Sequence, residues 1–245
     1  MCILSQRTDE RDLIRPLVVA VFAVLLCIPG RGQTPTREVL PELDAHIGFN
    51  FNVRLTFQDK QTLDSSALVT TELGPSIEFY LKPIRILKAV TLFDLDETKP
   101  VPLVISIGYR TLVNPGRPTI NRIKPVAMVH LPFWGRILAT DQSRVDLDWT
   151  KGNFYWCYRN RLTAERRFTV HSYHPGPYAS VELFYTNEYA KWGSTRLYTG
   201  CLLPLGKHID LDSYYEHQNN SGPRPNQQIN AAGIILHLYF PKHKE

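Results

Sequence analysis

The 245-residue chain contains no run of 18 apolar residues, which excludes a protein built from membrane-spanning helices. Glycine (14) and proline (18) are too sparse for a collagen-like or low-complexity chain. Charge of one sign is not concentrated anywhere. The net charge is +5, and the basic residues are spread among acids, so no clustered patch points to nucleic acid. There is no Gly-rich phosphate loop and no metalloprotease motif, so no cofactor is expected. Cysteine is scarce as well, with four residues, two of them (Cys2 and Cys27) near the N-terminus. What is present is apolar material: 43% of residues are hydrophobic, which excludes a long disordered chain. The mean hydropathy of −0.21 reads as that of a soluble protein. That average misleads for a membrane β-barrel, whose strands alternate apolar and polar residues and cancel.

The first residues read as a targeting segment. Arg7, Arg11 and Arg15 precede the apolar run 17–28, and Pro29-Gly30-Arg31-Gly32-Gln33 follows. This pattern predicts a secretory signal peptide over residues 1–32, cut before Gln33, with an uncleaved anchor as the alternative. Cys27 follows Leu26, where a lipoprotein site needs a small residue. Export would favour a disulfide between the remaining Cys157 and Cys201. Their strand phases point them to opposite faces, so two free thiols are expected.

The mature chain reads as strands. From Ala45 to Phe57 every odd position is apolar (Ala45, Ile47, Phe49, Phe51, Val53, Leu55, Phe57). Every even position is polar or glycine. Such alternation is the signature of a strand with one greasy face, and this run exceeds the usual globular strand. The pattern recurs over 69–81, 101–111, 123–133, 144–149, 153–168, 177–189, 194–205, 208–218 and 228–240. Asn114-Pro115-Gly116, Lys151-Gly152-Asn153, His174-Pro175-Gly176-Pro177, Leu205-Gly206-Lys207 and Ser221-Gly222-Pro223 mark the turns. The segment 83–99 either extends the second strand or forms a short helical turn. The fold predicted is all-β: an antiparallel up-and-down transmembrane barrel of about ten strands (8–12), one domain over 33–245, with both termini periplasmic.

The two faces decide which kind of barrel this is. The apolar face carries aromatics near strand ends (Trp149, Phe154, Trp156, Tyr185, Tyr189), as a lipid-facing girdle does. The other face holds Arg54, Arg110, Arg144, Arg159, Arg161, Arg167 and Arg196. It also holds Glu78, Asp146, Asp148, Glu165, Glu182, Asp210, Asp212 and Glu216. Arginine dominates over lysine, as suits bidentate pairing with carboxylates in a confined lumen. Arg159, Arg161, Glu165, Glu182, Arg196 and Glu216, projecting from the sixth to ninth strands, form either a polar pore or a structural plug. The plug is favoured, because a ten-stranded barrel is narrow and side chains fill it.

Four segments, Tyr158–Phe168, Pro177–Tyr185, Thr195–Gly200 and Tyr214–Gln218, carry a resemblance to a family of short bacterial outer-membrane barrels of unknown function (the domain-of-unknown-function 2490 type). It covers roughly residues 105–240. The resemblance implies an exported barrel in the outer membrane of a Gram-negative bacterium, and no assigned activity. The partners expected are outer-membrane lipid and the barrel-assembly machinery, with no nucleic acid. Outer-membrane phospholipase A offers a rival reading, since it carries a His-x-Ser pair on its outer face with a supporting Asn. Here His217 points outward, but position 219 is Asn219, the supporting position is nearer Thr195, and Ser221 has the wrong phase. The function expected is therefore structural or small-solute passage, without catalysis. The alternatives are a lipid hydrolase or a soluble periplasmic barrel holding an apolar ligand. No metal site is expected. His171 and His174 read as loop residues, and His46 and His237, inward on neighbouring first and last strands, read as hydrogen-bonded lining.

Overall fold

The computed structural model describes residues 36–241, apart from 51, 65–66, 81–95, 97, 134–136, 172, 189 and 222–225. The signal-peptide reading over 1–32 and most of the segment 83–99 lie outside the described residues. Eleven strands follow one another: β1 (Thr36–Asn50), β2 (Val53–Asp64), β3 (Ala67–Tyr80), β4 (Leu103–Val113), β5 (Ile120–Phe133) and β6 (Ile137–Thr150). Then come β7 (Asn153–Arg166), β8 (Gly176–Thr186), β9 (Lys191–Pro204), β10 (Ile209–Asn220) and β11 (Gln227–Phe240). Each is hydrogen-bonded to its sequence neighbour, and β1 meets β11 to close the barrel. Among the described residues there is no helix.

The count exceeds ten because the alternating run 45–57 is two strands. Residue pairs Ala45↔Phe57, His46↔Thr56 and Ile47↔Leu55 face each other across the β1–β2 hairpin. Partners in this register share parity, so odd residues stay on the outer face before and after the turn. Alternation reports which face a residue occupies and not the direction of the chain. The strands remain long, from 11 residues in β4 and β8 to 15 in β1.

An odd count has a topological consequence. Ten antiparallel steps leave β1 and β11 running the same way, so the seam is parallel, from Thr36↔Ile229 to Ile47↔Phe240. The start of β1 and the end of β11 therefore lie at opposite ends of the barrel. This corrects the expectation that both termini share the periplasmic side, which only an even strand count allows.

Burial follows strand phase. Outward positions are exposed and apolar: Ile105 and Ile107 on β4, Phe154 and Leu162 on β7, Ile234 and Phe240 on β11. Inward positions are buried and polar: Arg54 (5% exposed), Arg110 (1%), Asp146 (3%), Glu182 (2%) and Asp210 (0%). A few polar groups do sit on the outer face. Asp141, Ser143, Tyr158 and Asn160 satisfy one another there, with Asn160 Nδ2 donating to Asp141 Oδ1 at 2.7 Å. Cys157 and Cys201 are free thiols on β7 and β9, inward and outward in phase respectively, as expected.

Inside, tyrosines pack over glycines. The buried Tyr214 ring lies over Gly233 of β11, where a Cβ would overlap it, and a Cβ on Gly200 would stand 2.6 Å from Tyr178 Cζ. Tyr214 and Tyr198 form an apolar cluster with Leu40 and Ala231. Gly233→Val is expected to destabilise the barrel by about 1–3 kcal/mol through overpacking, read as a lower urea midpoint.

Candidate functional site: the charged lumen

The period of two places a carboxylate or guanidinium from each successive strand on the inner wall, and the registers bring them level. The result is a ladder of alternating charge across β5 to β10. Asp148 takes two hydrogen bonds from Arg122 (2.7 and 2.8 Å), and Arg122 also lies 3.8 Å from Asp146. Asp146 holds Arg144 at 2.5 Å and Arg159 at 3.3 Å. Arg159 reaches on to Glu182 at 2.8 Å. Glu182 also meets Arg161 (3.0 Å) and Arg196 (3.7 Å) and accepts the Tyr198 hydroxyl at 2.9 Å. Arg196 ends the ladder on Glu216 at 2.8 Å. Guanidinium groups also lie over aromatic faces, Arg159 over Phe184 at 4.5 Å and Arg161 over Tyr198 at 4.4 Å.

Five of the six residues expected to cluster do so: Arg159, Arg161, Glu182, Arg196 and Glu216. They project from the seventh to tenth strands, the extra N-terminal hairpin having shifted the numbering. Glu165 is the exception, since it binds Lys99 Nζ at 2.7 and 2.9 Å. Arg54 pairs with Glu78 at 2.7 Å, as expected from adjacent inward positions on β2 and β3. Arg110 binds carbonyls rather than an acid at close range. It donates to Pro75 O (2.6 Å) and Tyr109 O (2.9 Å), and Glu72 is 4.0 Å away. Arg167 lies one residue beyond β7 and donates to His174 O at 3.1 Å, so it belongs to the β7–β8 connection. Asp212 accepts the Tyr178 hydroxyl at 2.9 and 3.0 Å, and Asp210 is wholly buried near the same end.

Several lining residues escaped the sequence reading although the signal was there. Arg122 and Lys124 alternate with Ile123 and Pro125 on β5, and Glu42 and Asp44 continue the even phase upstream of Ala45. Lys60, paired with Glu42 at 3.5 Å, continues it downstream. Lysine therefore shares the lumen with arginine.

A second feature had no signal in alternation. The described end of the β3–β4 connection, Asp96 and residues 98–102, turns into the barrel. Asp96 Oδ1 takes a hydrogen bond from Arg54 on β2 at 2.8 Å, and Lys99 pairs with Glu165 on β7. In the ring, β2 and β7 are five strands apart one way and six the other, so these anchors stand on opposite walls. Thr98 between them is 3% exposed. Val101 packs with Tyr80, Val104 and Met128, and its carbonyl lies 2.7 Å from His130 Nδ1. Asp96 and residues 98–102 thus form a strap across the lumen. Burial alone would raise the Asp96 pKa, but the charges of Arg54 and Lys99 and the Thr98 backbone N–H prevail. The carboxyl is held well below the usual range.

The described residues do not fill the lumen. It holds a cavity of about 550 Å³ and a second of about 360 Å³, both lined by Asp96, Lys99, His46 and His237. The described side chains thus leave space that the packed-plug expectation did not include. An eleventh strand widens the ring.

On the outer face, His217 Nδ1 lies 2.7 Å from Asn230 Oδ1 across the β10–β11 register. The sequence reading put the supporting position nearer Thr195 than any Asn, whereas the side chain beside His217 is Asn230. The position two residues on from His217 remains Asn219. Ser221 Oγ donates to Gly193 O at 3.2 Å.

A family model described as "Protein of unknown function (DUF2490)" matches residues 101–229. No curated protein and no solved structure matches the chain.

Proposed function

The chain belongs to the DUF2490 family, and from that membership and its geometry we propose that it is a non-catalytic outer-membrane β-barrel whose charge-lined lumen passes small polar solutes. The observation that carries this reading is inverted polarity. Side chains such as Phe49, Phe133 and Trp192 are more than half exposed, while Arg110, Asp210 and Glu182 are buried. In water this arrangement would waste apolar surface and desolvate charge. In a bilayer each face meets a matching medium. Strands of 11–15 residues meet or exceed the roughly 9–11 that a tilted spanning strand needs. A soluble barrel holding an apolar ligand would need an apolar interior, and both cavities are lined by ion pairs instead. Lipid hydrolysis is disfavoured because Asn219 supplies no nucleophile beside His217.

Among the described residues, the larger cavity is lined by eight Lys or Arg and six Asp or Glu side chains. Lys124 on its wall donates to the Gln58 amide oxygen at 3.1 Å rather than to a carboxylate. That excess supports a preference for anions. The test starts with the full precursor expressed in a Gram-negative host. The protein is expected in the outer-membrane fraction and to migrate faster on a gel when unboiled. Recovery as a soluble protein with no heat shift would overturn the membrane reading. In planar bilayers under a KCl gradient, the reversal potential should favour chloride. A bilayer that stays silent even with the strap anchors removed would overturn solute passage.

A further inference from the structure

We propose that the barrel seam holds a divalent transition-metal site formed by Asp44, His46 and His237. Asp44 and His46 are two residues apart on β1, so both point inward, and His237 is the registered partner of Asp44 on β11. One ligand atom from each lies within 4.8 Å of the others. His46 Nε2 is 3.4 Å from His237 Nδ1, which is 3.6 Å from Asp44 Oδ2. With metal–nitrogen bonds of about 2.0–2.1 Å, tetrahedral ligands stand roughly 3.3 Å apart. The nitrogens are already close to that separation, and a rotation of the carboxylate supplies the rest.

The protonation state of His46 follows from its partners. Thr56 Oγ1 donates its single proton to Glu78 Oε1 at 3.1 Å. It therefore accepts from His46, whose Nδ1 lies 3.0 Å away. His46 Nδ1 carries the proton, and Nε2 presents a lone pair to His237. This is the arrangement of a metal-binding histidine, whose other ring nitrogen donates to a fixed oxygen. Glu78 is itself held by Arg54, so the orienting chain runs back into the lumen network.

A second observation is independent of the imidazoles. Asp44 is 9% exposed, and among the described residues its buried Oδ1 has no hydrogen-bond partner. Such an orphaned carboxylate oxygen is costly unless something else meets it. A cation between the three groups would do so and would displace the proton on His237 Nδ1. Both imidazoles line the two cavities, so the remaining coordination position opens to water in the lumen. Two nitrogens and one carboxylate oxygen suit zinc, and also cobalt, nickel or iron(II). The ion would bridge β1 and β11, the strands that close the barrel.

The test is zinc titration of the folded barrel in detergent, with cobalt as the spectroscopic substitute. One Zn²⁺ per chain is expected, together with visible Co²⁺ bands that a chelator removes. His237→Gln and Asp44→Asn should each weaken binding at least about tenfold, whereas the double variant His171→Gln/His174→Gln in the β7–β8 connection should leave it unchanged. Two variants are used so that a folding defect in either, checked by the heat shift, leaves the other to decide. The proposal is overturned if the folded wild type binds no zinc. It is equally overturned if binding survives the seam variants and disappears with the loop pair.

Discussion

Replacing Glu182 with Gln is expected to cost about 3–5 kcal/mol of barrel stability, the largest effect of any single substitution in the lumen. Glu182 is 2% exposed and stands within 4 Å of Arg159, Arg161 and Arg196. An amide keeps the shape and one acceptor oxygen but removes the only carboxylate shared by all three guanidinium groups. Arg159 retains Asp146 at 3.3 Å and Arg196 retains Glu216 at 2.8 Å. Among the described residues Arg161 has no other carboxylate in its ion pairs and keeps the Tyr198 hydroxyl at 2.8 Å. The charge thus stranded in a partly desolvated wall is what makes the change expensive. The measurement is a urea unfolding curve followed by tryptophan fluorescence. Adding Arg161→Met to Glu182→Gln should recover part of the loss. If the single variant shifts the midpoint no more than an outward change such as Ser213→Ala, the ladder contributes specificity but not stability.

The ladder is also where sequence and structure agree best, for a definite reason. A strand has period two, so parity alone sorts Arg159, Arg161 and Glu182 from Phe154, Leu162 and Leu183, and neighbouring strands on one inner face must bring opposite charges together. Parity fails at three kinds of place. It does not see a hairpin whose partners share parity, which is how Ala45 to Phe57 came to read as one strand and the count fell one short. It cannot give the direction of β1 relative to β11, because the parallel seam follows from the total count. It also says nothing about a connection that folds inward. Asp96 and Lys99 look like ordinary loop charges in the run Asp94-Leu-Asp-Glu-Thr-Lys99, and only the three-dimensional path of the chain takes them to Arg54 and Glu165. The His46–His237 pair lies between these cases. Parity and closure made the two neighbours, but the Thr56–Glu78 chain that fixes the proton on His46 needed atomic positions.

Freeing the strap should have the largest effect on solute passage. Its two ion pairs hold opposite walls, so breaking both lets Asp96, Thr98 and Lys99 swing out of the lumen while Val101 stays packed on Tyr80 and Val104, and the cavities of about 550 and 360 Å³ share the boundary they form. Asp96→Asn with Lys99→Gln removes both charges while keeping similar volumes. Arg54 keeps Glu78 at 2.7 Å, so its charge is not stranded. Glu165 loses its closest cation, but it lies near the end of β7, and water from the opened lumen can solvate it. The wall should therefore tolerate the change far better than Glu182→Gln. Single-channel conductance of the double variant in planar bilayers is expected to rise several-fold over wild type, with little change in the urea midpoint. Acid alone should not mimic it between pH 7 and pH 5. The Asp96 carboxyl is held below its usual range, so its contribution is present above the unfolded pKa of about 3.9 and is lost only as pH falls through the lower folded value. A conductance that opens near pH 5 in wild type, or a double variant no more conductive than the parent, would mean that the constriction lies elsewhere, at the ladder of Asp146, Arg159 and Glu182 itself.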